Sequence, residues 1–119
     1  MSTKVNVEGL KQGVKSNTIS LFYAPWCGHC KRLHPTYESF ATDVKKQYPM
    51  LHVTRIDMQK HGQQVKDERI GEEEFGAPLS TAVKGFPTIM LFRKDGDTRL
   101  YSGERTQDGL MQAVRTFYG

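Results

Sequence analysis

An α/β fold, with a central mixed β-sheet flanked by helices on both faces, is the architecture this sequence predicts. Three observations carry that expectation. The segment Ile19-Ser-Leu-Phe-Tyr-Ala24 is almost continuously apolar, as a strand covered on both sides has to be. A long stretch with helical spacing follows it directly, and runs with strand-like alternation come later. The chain then closes on an amphipathic helix.

Taken in order, Val5 and Val7 alternate with polar neighbours and suit a short first strand. Leu10 and Val14 fall four apart, as on a helix face, before Ser16-Asn17 breaks the run. The apolar strand Ile19 to Ala24 comes next. From Cys27 onward Leu33, Tyr37, Phe40 and Val44 share one helical face, with Lys31, Glu38, Asp43 and Lys45 largely off it. Pro35 sits inside this helix and should kink it, because it has no N–H for the preceding turn.

Leu51 to Asp57 alternates as a strand, and Thr88 to Phe92 forms another. Asp95-Gly96 is a turn from which Arg99 to Tyr101 returns as the second arm of a hairpin. A last helix runs from about Thr106 to Tyr118, with Leu110, Val114 and Phe117 on its buried side. One stretch departs from this order: residues 58–84 are polar and glycine-punctuated, include Glu72-Glu73-Glu74, and read as a long insertion with a short helix at Pro78 to Val83. The acidic triplet is read as a solvated face. The whole chain, residues 1–119, is expected to be a single domain without repeats.

Composition narrows the function. With 37% apolar and 25% charged residues, this is the composition of a soluble globular domain, with no apolar run long enough to span a bilayer. The formal charge of +4 is scattered rather than striped, and no RNA-binding or zinc-finger motif is present, so neither nucleic acid nor a membrane is expected as a partner. Two cysteines cannot make a disulfide scaffold; a close pair points to redox or metal chemistry. Zinc is the weaker choice, since a closed structural site needs four ligands and His34, His52 and His61 lack the spacing to supply them. No metal is expected.

Both cysteines lie in Trp26-Cys27-Gly28-His29-Cys30-Lys31, at the start of a helix. Thiols at that spacing can close into a disulfide ring and reopen, exchanging two electrons with a partner. The unpaired N–H groups and dipole of the helix N-terminus should lower the Cys27 pKa and make it the nucleophile. Cys30, one turn further in, should be more buried and should resolve the mixed disulfide. A partly protonated His29 between them would stabilise the Cys27 thiolate.

The segment Ala24-Pro-Trp-Cys-Gly-His-Cys-Lys-Arg-Leu-His-Pro-Thr-Tyr-Glu38 resembles the active-site strand end and helix of a catalytic protein disulfide isomerase domain, within the thioredoxin superfamily. Val83-Lys-Gly-Phe-Pro-Thr-Ile89 and Tyr101-Ser-Gly-Glu-Arg-Thr106 resemble the family's second and third motifs, in the same order. The resemblance implies a thioredoxin fold and a thiol–disulfide oxidoreductase that forms, isomerises or reduces disulfides in protein substrates. Cys27 and Cys30 would form its redox-active disulfide, with Gly28 and His29 between them and no further cofactor. It implies a cis peptide before Pro87, a substrate-holding rim of Pro25, Trp26, Phe86 and Pro87, and Arg105 as the cation that stabilises the Cys30 thiolate. Partners would be proteins bearing thiols or disulfides, with glutathione or another thiol as redox partner, and the chain would act as a monomer.

Two departures accompany the resemblance. Leu21 stands where the family carries a buried acid, six residues before the first cysteine, so proton transfer needs another route, for which water with Arg105 is the expectation. Arg55, which aligns with the lysine beside that acid, is then expected to point to solvent. The longer 58–84 passage bears on substrate range. The alternatives are a thioredoxin-like reductase, or a peptide-binding or scaffold module with incidental redox activity. With no secretory or retention signal in this sequence, a cytosolic or viral setting is expected for a stand-alone chain, and the endoplasmic reticulum lumen for an isomerase domain.

Overall fold

Strand β1 (Thr18–Tyr23) lies inside the sheet rather than at its edge, and the active-site segment is an extension of it. The computed structural model describes residues 17–59, 85–95 and 97–119. The expected strand at Val5 and Val7, the helix at Leu10 and Val14, and the short helix at Pro78 to Val83 lie outside the described residues, as does Gly96 of the turn.

After β1 come helix α1 (Gly28–Gln47), β2 (His52–Asp57), β3 (Thr88–Phe92), β4 (Thr98–Leu100) and helix α2 (Gln107–Tyr118). The sheet order is β2-β1-β3-β4. β2 runs parallel to β1, so the chain has to cross over between them, and α1 makes that crossing. β3 and β4 join antiparallel, giving the mixed sheet that the sequence predicted. The observed strand ends differ from the expected ones by a single residue, the usual scatter of element boundaries.

Alternation assigns the two faces. Ile19, Leu21, Val53, Ile89 and Leu91 pack on one side against Leu33, Tyr37, Phe40 and Val44 of α1 and Leu110, Val114 and Phe117 of α2. Each fully buried large side chain there stabilises by roughly 1.5–3 kcal/mol. Ser20, Phe22, Thr54, Ile56, Met90 and Phe92 face the other way and are buried too. Burial on both faces is why β1 reads as a continuous apolar run. Its one polar intrusion is satisfied, the Ser20 and Thr54 hydroxyls meeting at 2.6 Å.

Both helices use side chains at their starts. Cys27 is the N-cap of α1, in an extended conformation, and its sulfur accepts the N–H of Cys30. Lys45 and Lys46 complement the dipole in the last turn. Thr106 caps α2, its Oγ1 accepting the Gly109 N–H at 3.0 Å. At the far end, the Tyr118 hydroxyl donates to the carbonyls of Thr18 and Phe92, at 2.8 and 3.0 Å, pinning α2 to the sheet. The Tyr37 hydroxyl does the same from α1, reaching the Thr54 carbonyl at 3.0 Å and that of Ile19 at 3.3 Å. α1 runs through Pro35 without ending there. No helix among the described residues is long and apolar enough to cross a membrane.

Candidate active site

β1 delivers Ala24 to the turn that starts α1, and the Cys27 N–H donates to the Ala24 carbonyl at 3.1 Å. Ala24, Cys27 and Cys30 form a small buried cluster, with Tyr23 and Phe86 packed against it. Both cysteines are free thiols. The Cys27 sulfur accepts the Cys30 N–H at 3.2 Å and donates to the Phe86 carbonyl at 3.7 Å. That carbonyl belongs to the residue before Pro87, across a cis peptide bond, as the resemblance implied.

This geometry pushes the two thiols apart. A hydrogen bond from the Cys30 thiol holds the Cys27 pKa below its ordinary value. The N–H groups of Cys30 and His29, which lie in the first turn of the helix, and the Arg105 charge add to that effect, against the opposing effect of burial. Cys30 is pushed up to about 11, first by burial and then by its hydrogen bond to Cys27. The Ala24 backbone and Arg105 act weakly in the opposite direction. One thiol is thus shifted toward ionisation and the other held protonated as a donor to it.

The rim is partly apolar. Trp26 is 66% exposed and meets the half-buried Phe86 edge-on, with ring centroids 5.9 Å apart. Pro25 is exposed beside it, and Pro87 is buried beneath. Gly28 is exposed, and a Cβ there would make only ordinary contact with Arg32, 3.7 Å away. The imidazole of His29 is turned away from the expected role: its Nδ1 accepts from the Arg32 guanidinium at 2.7 Å. What His29 brings to Cys27 is its backbone N–H. Arg105 is exposed, yet it acts electrostatically on both thiols.

A second expectation is overturned. Arg55 does not point to solvent: its side chain is only 12% exposed and its Nε bonds Glu38 at 3.1 Å. Leu21, paired across the sheet with Arg55, is buried and apolar, so the guanidinium turns to the carboxylate that α1 supplies. It also donates to His34 Nδ1 at 3.3 Å. Sequence reasoning gave His34 no part in a metal site and did not single out this group. The available signal was the four-residue spacing of Cys30, His34 and Glu38. Among the described residues no three His, Cys, Asp or Glu side chains converge as a metal site would require.

A strand ending in a thiol-capped helix, with a second thiol one turn inside and a cis-proline loop facing both, defines a class of dithiol–disulfide domain. The chain belongs to the thioredoxin family, whose profile, described as Thioredoxin, matches residues 3–116. Within that family its likeness is to protein disulfide isomerases. It is 37% identical over 101 residues to a protein disulfide-isomerase of Zea mays, a match covering 82% of this chain and 17% of that protein. It is 31% identical to the solution structure of the first thioredoxin domain of mouse protein disulfide-isomerase A4, with TM-score 0.72, covering 97% of this chain and 74% of that one. Zinc-bound human ERp44, at 24% identity and TM-score 0.74 over 98% of this chain and 31% of that one, shares the fold. The chain spans only a small part of the length of the curated relatives it matches.

Proposed function

We propose that this domain is a thiol–disulfide oxidoreductase of the protein disulfide isomerase type, acting on proteins that carry thiols or disulfides. The observation that carries the reading is the opposed preparation of its two thiols. Cys27 caps the helix with its pKa lowered, while Cys30 accompanies it with a pKa of about 11.

In the reductive direction the Cys27 thiolate attacks a substrate disulfide. One substrate sulfur leaves as a thiolate and the other becomes bonded to Cys27. Cys30 then loses its proton and attacks the Cys27 sulfur, forming the Cys27–Cys30 disulfide and freeing the second substrate sulfur. Oxidation of a dithiol substrate is the same path in reverse. Isomerisation needs only the first step, because the freed substrate thiolate can attack elsewhere on its own chain.

Trp26, Pro25 and Phe86 offer an apolar rim to an extended substrate segment, and Pro87 sets the loop that carries Phe86. Arg105 stabilises whichever cysteine is ionised. His29 supports the Cys27 thiolate through its N–H. The cofactor is the dithiol itself, glutathione or another thiol serves as redox partner, and the domain works as a monomer.

The test is the equilibrium of the Cys27–Cys30 pair against glutathione. A potential near −180 mV is expected for oxidase and isomerase work, whereas one near −270 mV, about that of thioredoxin, assigns the domain to reduction instead. A Cys27→Ser, Cys30→Ser protein that keeps its full biological effect would assign it to peptide binding.

A further inference from the structure

Resolution of a mixed disulfide requires Cys30 to give up a proton that burial holds tightly, so a group near it has to receive that proton. Leu21, at the strand position where the family resemblance expects an acid, offers none, since it is buried and apolar. Helix α1 brings polar groups to this side instead. Cys30, His34 and Glu38 stand four residues apart and therefore line one face of α1, a turn between each. Helical Cα–Cβ bonds lean toward the N-terminus, so the His34 side chain lies over the turn that leads back to Cys30. Tyr23 bridges the two: it packs against the cysteine cluster, and its ring meets the His34 imidazole edge-on at 6.3 Å.

Thiol, imidazole and carboxylate in that order are the parts of an activated nucleophile, with a base beside the thiol and an acid orienting the base. We propose that His34 is the proton acceptor serving Cys30, with Glu38 and Arg55 as positioning residues that set its charge. This deepens the reading above and rests on it.

Glu38 Oε2 lies 3.7 Å from His34 Nε2, and Arg55 Nη1 donates to His34 Nδ1 at 3.3 Å. Arginine only donates, so these partners assign the resting proton to Nε2 and leave the imidazole neutral, the form a base needs. Burial and the Arg55 charge hold the His34 pKa below its ordinary value, and Glu38 opposes them. The charged groups acting on His34 are Arg55 on β2 and Glu38 on α1, and Tyr23 on β1, whose ring meets it, is faced in turn by Asp57, Arg55 and Cys30.

In the resolving step the Cys30 proton passes to His34 Nδ1, directly or over one solvent molecule, as Arg55 moves wholly to Glu38, its nearer partner at 3.1 Å. The Cys30 thiolate attacks the Cys27 sulfur, the Cys27–substrate bond breaks, and the Cys27–Cys30 bond forms. The departing substrate thiolate takes the proton from His34. Atoms and electrons balance without a further reactant.

The experiment is stopped-flow reaction of the reduced chain with dithiobis(nitrobenzoate). The first thionitrobenzoate released reports attack by Cys27, and the second reports resolution by Cys30. In His34→Gln the second release should slow at least about tenfold while the first is unchanged. In His34→Ala, imidazole added to the buffer should restore it in proportion to its concentration. The pH at which the second release inflects should fall in Glu38→Gln and rise in Arg55→Met, opposite shifts that a merely structural role would not produce. An unchanged second release in His34→Gln, no imidazole rescue, or inflections that move together would each overturn the proposal. Absence of the first release in the wild type would instead overturn the dithiol reading beneath it.

Discussion

Alkylation selectivity at the dithiol can be worked out from the structure. Cys30 is raised from an ordinary 9.0 to about 11. At any pH well below both values, two units cut its thiolate fraction about a hundredfold. A more basic thiolate is intrinsically more reactive, and a Brønsted coefficient of 0.4–0.5 returns roughly six- to tenfold of that. Cys30 should therefore react about tenfold more slowly than an unperturbed thiol, before any steric protection by its burial. Cys27 is displaced in the opposite direction, so the ratio between them should exceed about tenfold throughout the neutral range. Iodoacetamide labelling from pH 5 to 9, resolved by peptide mass spectrometry, measures both rates in one sample. In Cys30→Ala the Cys27 midpoint should rise, because the thiol that stabilises its anion is gone. Equal rates at the two cysteines, or a Cys27 midpoint unmoved by Cys30→Ala, would refute the reasoning.

Three further outcomes follow from particular contacts. Arg105→Met should raise the pKa of both thiols, read as an upward shift of the Cys27 alkylation midpoint, since Arg105 favours both anions. Gly109→Ala should destabilise the fold by about 1–3 kcal/mol in urea unfolding, because an added Cβ would sit 2.6 Å from the Glu104 carbonyl, a backbone atom that cannot swing aside. Tyr37→Phe should cost about 1–3 kcal/mol by the same assay, since the Thr54 carbonyl loses a buried donor at 3.0 Å; a change below about 0.5 kcal/mol would contradict that account.

Much of this was legible in the residue order. The apolar run at Ile19 to Ala24 gave a strand buried on both faces because its neighbours on either side are covered. Leu33, Tyr37, Phe40 and Val44 fall on the packed side of α1 as their spacing required. The last helix starts from its cap at Thr106, where its spacing placed the start. The cysteine pair marked the candidate site. What escaped sequence reasoning was the pairing of side chains from different elements. Arg55 looked orphaned because its expected partner on the adjacent strand is Leu21. Its actual partner, Glu38, comes from the helix above and is brought there only by the crossover packing. His29 fell the same way: the spacing placed it beside Cys27, but Arg32, three residues on, captures its ring. Such choices between nearby polar partners depend on rotamers and packing that no linear spacing encodes.

The most direct trial of the central claim is reactivation of a scrambled, disulfide-bonded protein in a glutathione buffer. Wild type should restore activity, Cys30→Ala should retain part of that ability, and Cys27→Ser should retain none, since every exchange begins at the helix-capping sulfur. Full reactivation by Cys27→Ser would contradict the account.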